Sequence, residues 1–162
     1  MRFLGKYVLR IDPKNGRLNV PARFRDELPS KNEGDRSVVV IKGLDRCAWI
    51  YPIKTFEALM DQFDSPELIA SPTARRFQTL FTDGATVEAP DEQGRIAISD
   101  EIREYAGLEG EVEVHGCINR MEVWNGTIRK QHLAKVAAEG KDLETLAGEF
   151  FTVSSATPAH RA

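Results

Sequence analysis

The sequence predicts an α+β fold in which two copies of one strand-rich unit interleave their hairpins into a pseudo-symmetric β-barrel with flanking helices. The chain repeats itself. GRLNVPARFRDEL (16–28) lies over GRIAISDEIREYA (94–106), matching Gly-Arg with Gly-Arg, Leu18 and Val20 with Ile96 and Ile98, Phe24 with Ile102 and Arg25 with Arg103. Further on, KGLDRCAWIYP (42–52) lies over HGCINRMEVWN (115–125), with Gly43 on Gly116, Arg46 on Arg120 and Ile50 on Trp124. Self-similarity of this kind marks a duplicated supersecondary unit. Each copy also shows the period-2 alternation of strands around its Gly-Arg pair. Short units of this kind cannot each bury both faces of a sheet, which favours interleaving over two separate bodies.

Within a copy the elements follow in order. Tyr7, Leu9 and Ile11 alternate before the first Gly-Arg and Leu18 and Val20 after it, which reads as two short strands joined by a tight turn. Glycine accepts the positive φ that such a turn demands. A short helix follows, opened by Pro21 in the first copy and by Ser99 with Asp100 in the second. SVVVIK and CAWIYP, and in the second copy EVEVHG and RMEVW, supply two further strands. A longer helix closes each unit, with Phe56, Leu59, Met60 and Phe63 at core spacing in the first. Pro66 and Pro72 break the chain between the copies, and TARRFQTLF (73–81) reads as a linking helix with Phe77, Leu80 and Phe81 inward and Arg75 and Arg76 outward. The resulting division is 7–54 and 83–126 for the two repeated units, 55–82 for linking helices, 127–150 for a C-terminal helical region and 151–162 for a polar tail expected to be disordered.

Composition narrows the function. The 162 residues are 41% hydrophobic and 29% charged, within the globular range, and no run approaches the roughly 18 apolar residues of a membrane span. Arg2, Lys6 and Arg10 interrupt the N-terminus where a signal peptide needs an apolar stretch, so the expectation is a cytoplasmic protein with no membrane partner. Cys47 and Cys117 lie far apart and outside metal-ligand spacing, and are read as reduced core thiols. The net charge is −3, but the first 25 residues hold seven cations against Asp12 alone, a net of +6 that leaves −9 on the remainder. Such a basic segment is either a solvated strand face or the electrostatic footprint of a polyanion.

Catalytic constellations are missing. The histidines are His115, His132 and His160, without H-E-x-x-H, G-x-S-x-G, a Walker loop or G-x-G-x-x-G, so no enzyme, catalytic residue, metal or cofactor is expected. His115 reads as a structural residue and Asn125-Gly126-Thr127 as a turn and helix start. What remains is a duplicated turn, D-P-K-N-G-R at 12–17 and D-E-Q-G-R at 91–95. Its aspartate can accept from turn amides or from the guanidinium. A single copy reads as a clamp that stiffens a turn, but two pre-oriented arginines suit a repeated polyanion, because the planar guanidinium binds phosphate or guanine bidentately. Arg17 and Arg95 are therefore the expected DNA contacts, with Lys14, Arg23 and Arg25 positioning phosphates and Asp12 and Asp91 orienting the arginines. An enzyme with a cleft between the repeats, or a structural ring protein without DNA binding, are the competing classes.

At these residues the sequence resembles the MraZ transcriptional regulators, which are built from two SpoVT-AbrB-type domains. The resemblance covers about residues 3 to 150 and includes FLGKY, GRLNVPARFRDEL, TARRFQTLF, DEQGRIAIS, AGLEGEVEVHG and the MEVW strand. The family's D-x-x-x-R signature is intact at Asp91 and Arg95, whereas one extra residue separates Asp12 from Arg17. The resemblance implies an AbrB-like swapped-hairpin fold and a nucleoid-associated repressor. It further implies a homo-oligomeric ring that binds direct repeats in double-stranded promoter DNA ahead of the division and cell wall gene cluster, its own operon.

Overall fold

In the computed structural model, which describes residues 2–156, the first strand does not fold back on its sequence neighbour. Strand β1 (Phe3–Arg10) pairs antiparallel with β7 (Glu111–Ile118) of the other repeat, from Phe3↔Ile118 to Arg10↔Glu111. The counterpart pairing joins β3 (Val38–Lys42) to β5 (Thr86–Glu88), and β4 (Ala48–Pro52) meets β8 (Arg120–Trp124). The sheet order is β1-β7-β8-β4-β3-β5. Exchanging β1 for β5, β7 for β3 and β8 for β4 turns this order onto itself, so a pseudo-twofold axis passes between β8 and β4. The axis emerges again in a two-stranded ribbon, β2 (Arg17–Asn19) with β6 (Arg95–Ala97), centred on the repeat-equivalent pair Leu18↔Ile96. The strands on either side of each Gly-Arg turn thus find their ladders in the other copy, and the expected barrel is realised as a six-stranded sheet and a ribbon over one core.

That core contains residues from both copies. Phe3, Leu18, Val20, Phe24, Ile96, Ile98, Ile102, Val112 and Val123 are buried in one cluster. Helix α1 (Ala22–Asp26) follows Pro21 and buries Phe24, whose ring packs edge-on against Phe3 at 5.6 Å and Tyr7 at 5.3 Å. Its counterpart, the helix Asp100–Ala106, is capped by Ser99 Oγ, which accepts from the Ile102 amide, and stops at Gly107 with φ 62°. Each fully buried Leu or Ile contributes about 1.5–3 kcal/mol.

A second cluster lies outside this core, on Val39, Ile41, Tyr51 and Phe81. It is covered by α2 (Ile53–Met60) through Phe56, Leu59 and Met60. Pro66 and Pro72, expected as breaks, instead open α3 (Pro66–Ala70) and α4 (Pro72–Thr82), with Ser65 and Ser71 as side-chain caps, because proline is tolerated in a first helical turn. On α4, Phe77 and Phe81 stack at 5.2 Å, but only Phe81 is buried; Phe77 is 37% and Leu80 68% exposed rather than inward. Leu80 lies four residues from Arg76 and shares its outer stripe, not that of Phe77 and Phe81. The strand register, one residue off the alignment through Gly43 and Gly116, sets Val39 and Ile41, opposite Tyr51 and Trp49, in the places of Glu113 and His115, opposite Trp124 and Glu122, so the matching face in the second repeat is polar.

The helix Asp100–Ala106 is α5 in chain order, and α6 (Gly126–Ala138) begins where Asn125 Oδ1 accepts from the Thr127 and Ile128 amides, at 2.9 and 3.1 Å. The chain clusters into two units, Met1–Ile128 and Arg129–Ala162. In the second, Asp142 Oδ1 accepts from the Thr145 amide at 2.8 Å and starts α7 (Leu143–Ala156). This helix runs through the first residues of the segment expected to be a disordered tail, since Leu146, Phe150 and Val153 continue a helical spacing and no proline intervenes before Pro158. The rest of that segment, 157–162, lies outside the described residues.

Candidate nucleic-acid interface

The two Asp–Arg turns share a backbone frame and differ in their side-chain bonds. In each, the aspartate amide donates to the arginine carbonyl, Asp12 to Arg17 at 2.9 Å and Asp91 to Arg95 at 3.0 Å, and the glycine amide donates back to the aspartate carbonyl. Asp91 Oδ1 accepts from the Gln93 and Arg95 amides, both at 2.9 Å, and its Oδ2 accepts from Arg95 Nε at 2.9 Å. The guanidinium is thereby held by one edge, and its terminal nitrogens are left for a partner. Asp12 Oδ1 accepts instead from the Lys14 and Asn15 amides, at 2.8 and 3.3 Å. The additional residue interposes Asn15, whose Oδ1 takes the Arg17 amide at 3.0 Å, so Asp12 stiffens its turn without holding the Arg17 side chain. Both carboxyls sit below the usual aspartate range. The Lys14 amide is the main cause at Asp12, and at Asp91 it is the Arg95 amide, seconded by the Arg95 side chain.

The turns are braced crosswise. Gly16 and Gly94 have φ of 65° and 77°, and their carbonyls accept from the Ile98 and Val20 amides of the opposite repeat, both at 2.9 Å. A Cβ on Gly16 would lie 2.8 Å from Arg103 Nε, and one on Gly94 would collide with the Arg25 guanidinium. Arg25 was expected to position phosphates. It is half-buried against Gly94, and the Nε atoms of Arg25 and Arg103 are both enclosed without a hydrogen-bond partner. Each arginine of the helix thus lies over the turn glycine of the other copy.

The ribbon register is Arg17↔Ala97, Leu18↔Ile96 and Asn19↔Arg95. Leu18 and Ile96 are 1% exposed and face the core. Arg17, Asn19, Arg95 and Ala97 therefore share the opposite face, with Arg17 and Arg95 as diagonal neighbours roughly 7–8 Å apart. Lys14 in the first turn and Arg23 on α1 are exposed. Arg75 donates to the Ile69 and Ala70 carbonyls at 2.7 and 3.0 Å, closing the end of α3. Of the residues singled out from the sequence, Arg17 and Arg95 come together on this face; sequence reasoning passed over Asn19 on the same face and Arg103 against Gly16. The alignment of Arg25 with Arg103 was a usable sign for the latter.

Other chemistry-bearing residues have structural partners. His115 Nε2 is 2.8 Å from Glu113 Oε2, and Glu113 Oε1 is 3.1 Å from Lys6 Nζ. Hydrogen bonding from His115, more than the Lys6 charge, keeps the Glu113 carboxyl below its usual range. Cys47 is buried and Cys117 half-buried, and burial pushes both thiols up, away from the reactive thiolate. A cleft of about 370 Å³ where the first turn meets α5 is lined by Ile11, Pro13, Asp100, Arg103, Glu104 and Leu108, and Arg103 is paired there with Asp100. Among the described residues no group of three or more His, Cys, Asp or Glu could hold a metal ion, and no helix is long and apolar enough to cross a membrane.

The family model described as "MraZ protein, putative antitoxin-like" matches the chain twice, over residues 3–80 and 81–147. The chain is 37% identical over 142 residues to a protein of Salinispora tropica, covering 88% of this chain and 94% of that one. It is 42% identical over 131 residues to a protein of Clavibacter michiganensis subsp. michiganensis, covering 81% and 86%. With one from Micrococcus luteus it shares 37% identity over 150 residues, covering 91% and 99%. Each of the three is named "Transcriptional regulator MraZ".

Proposed function

The chain belongs to the MraZ family, and from that premise we propose that it is a transcriptional regulator that binds double-stranded DNA through the outer face of the β2·β6 ribbon. The observation that carries this reading is the convergence of Arg17 and Arg95, one from each repeat, on a single exposed two-stranded ribbon. A ribbon of that width is an element the major groove admits. Arg95, clamped through Nε, presents its remaining donors toward a base edge. Arg17, free of its aspartate, contacts phosphate, and Lys14 and Arg23 add positioning charge from the flanks. Arg25 acts one step back, by fixing Gly94.

On this reading 7–54 and 83–126 are the SpoVT-AbrB-type domains, joined by the linking helices of 55–82 and followed by the C-terminal helical region 127–150. The protein works in the cytoplasm, on the nucleoid, as a ring that represses its own operon in the division and cell wall cluster. The family resemblance supports that assignment, and the acidic remainder of the chain supports it by keeping off DNA except at the basic segment. Titrating the protein onto its own upstream DNA in an excess of nonspecific duplex is the test. Retained binding that Arg95→Ala weakens is expected, while binding that the competitor removes entirely would overturn the proposal.

A further inference from the structure

The pseudo-twofold axis that exchanges Arg17 with Arg95 exchanges Asn19 with Ala97. The arginines of the ribbon face are therefore symmetric and its remaining two positions are not. B-DNA carries local twofold axes of its own, so a face with perfect twofold symmetry would bind any site equally well in both directions. Any preference for one direction has to come from side chains that break the symmetry. We propose that Asn19 is the specificity-determining residue that sets the direction in which this face lies on DNA, by reading an adenine. The inference rests on the DNA-binding role of the ribbon.

Three observations carry it. Asn19 is exposed, and among the described residues no hydrogen bond holds its side-chain amide, so donor and acceptor are both free. A carboxamide in that state offers the bidentate match to adenine N6 and N7 in the major groove, whereas Ala97, in the equivalent place, offers only a methyl contact suited to thymine. Asn19 also stands directly opposite Arg95 in the ladder. Directly opposed side chains are about 4.5–5.5 Å apart at Cβ, against a rise of roughly 3.4 Å per base step, so an Arg95 guanine and an Asn19 adenine fall within about two steps. Other residues that break the symmetry lie off the face: Asn15, whose Oδ1 is engaged with the Arg17 amide, and Lys14 stand in the turn, and Arg23, which lies over Glu101 in the repeat, stands on α1, so the two cations reach phosphate, which carries no sequence information.

The experiment is selection from a randomised duplex library by the full chain, by Asn19→Ala and by Ala97→Asn, with melting curves of all three. Wild type should enrich a motif lacking twofold symmetry. Asn19→Ala should lose discrimination at one adenine position by about tenfold or more while keeping its guanine positions. Ala97→Asn should gain an adenine at the symmetry-related position and make the motif palindromic. An Asn19→Ala motif identical to that of wild type, or one weakened evenly at every position with unchanged melting, would overturn the inference and leave DNA binding by the ribbon standing. A wild-type chain that enriches nothing would overturn the DNA-binding proposal as well.

Discussion

Arg95 and Arg17 occupy equivalent places in the repeat, yet a carboxylate oxygen 2.9 Å from Nε holds the first, and among the described residues no carboxylate holds the second. A pre-oriented guanidinium loses less freedom on binding, which suits a base contact, whereas a free one suits phosphate. Arg95→Ala should therefore cost about 1–3 kcal/mol of specific binding per site and relax one base position. Arg17→Ala should weaken all sequences alike and lower the salt slope by about 0.9 for each phosphate contact removed. Exposed ion pairs contribute only about 0–1 kcal/mol to folding, so melting should move little in either variant. Asp91→Ala should hurt binding more than Asp12→Ala, and a salt titration of the four variants beside their melting curves checks the set. Unchanged affinity with lowered melting would reduce the pair to a turn clamp. Acid gives an independent check. The Asp91 carboxyl is held below the ordinary 3.8, so its contribution to stability is present above that value and disappears as pH falls through the lowered one. Wild type should melt above Asp91→Asn near neutrality, and the two curves should converge as pH falls below 3.8 and through the lowered value.

The hairpins are the elements whose local chemistry was legible in the sequence and whose partners were not. Alternation around Gly-Arg marks strands and a glycine turn because both are short-range effects, as are the serine caps of α3, α4 and α5. Pairing of β1 with β7 joins residues more than a hundred positions apart, and no local period encodes it. The repeat alone pointed to it, by requiring a symmetric arrangement. Leu80 was misjudged for a related reason: it is apolar and one residue from Phe81, but which stripe of α4 meets the sheet depends on Val39, Ile41 and Tyr51 beneath. The fate of Asp12 was half legible, since the extra residue was visible and the substitution of Asn15 for the arginine clamp was not. Crosswise bracing of the turns predicts coupling across the repeats. Gly94→Ala meets both the positive-φ penalty, about 1–2 kcal/mol, and the Arg25 guanidinium. Combined with Arg25→Ala, part of that loss should be recovered. The pairing of Gly94→Ala with Arg103→Ala should be additive within about 0.5 kcal/mol. Denaturation midpoints of the two double-mutant cycles decide it, and equal coupling in both would show that the braces do not cross.

For the whole molecule, pseudo-symmetry leaves the sheet with two unlike edges. Strand β5 is three residues long, whereas β1 runs for eight with an unpaired outer side and with Leu4 and Val8 at 60% and 53% exposure. Helix α7 adds exposed Leu143, Phe150 and Phe151. A long unpaired edge that exposes Leu4 and Val8 in alternation with Lys6 and Arg10 is a template for association unless something covers it, and a closed homo-oligomer covers it without open-ended growth. Light scattering at micromolar concentration should give a single multiple of the 18.1 kDa chain mass, and Leu4→Lys with Val8→Lys should lower that mass while leaving the core transition in place. A strictly monomeric wild type would end the ring proposal.

Closure by rotation has a consequence for the operator that no single subunit determines. Neighbours around a ring present their ribbons in the same sense, because the operator that relates them is a rotation about the ring axis and not a dyad through the DNA. Each ribbon, with Asn19 on one strand and Ala97 on the other, is itself directional. Successive subunits engaged on one duplex should therefore protect direct repeats. They should be spaced about one helical turn, ~10 bp, so that every ribbon meets the same side of the groove. Footprinting of the upstream region checks spacing and sense together, and the salt slope should rise in steps as the number of repeats in the fragment is raised from one to several. Inverted half-sites would require a dyad between neighbouring ribbons and would rule out a rotational ring as the DNA-bound form.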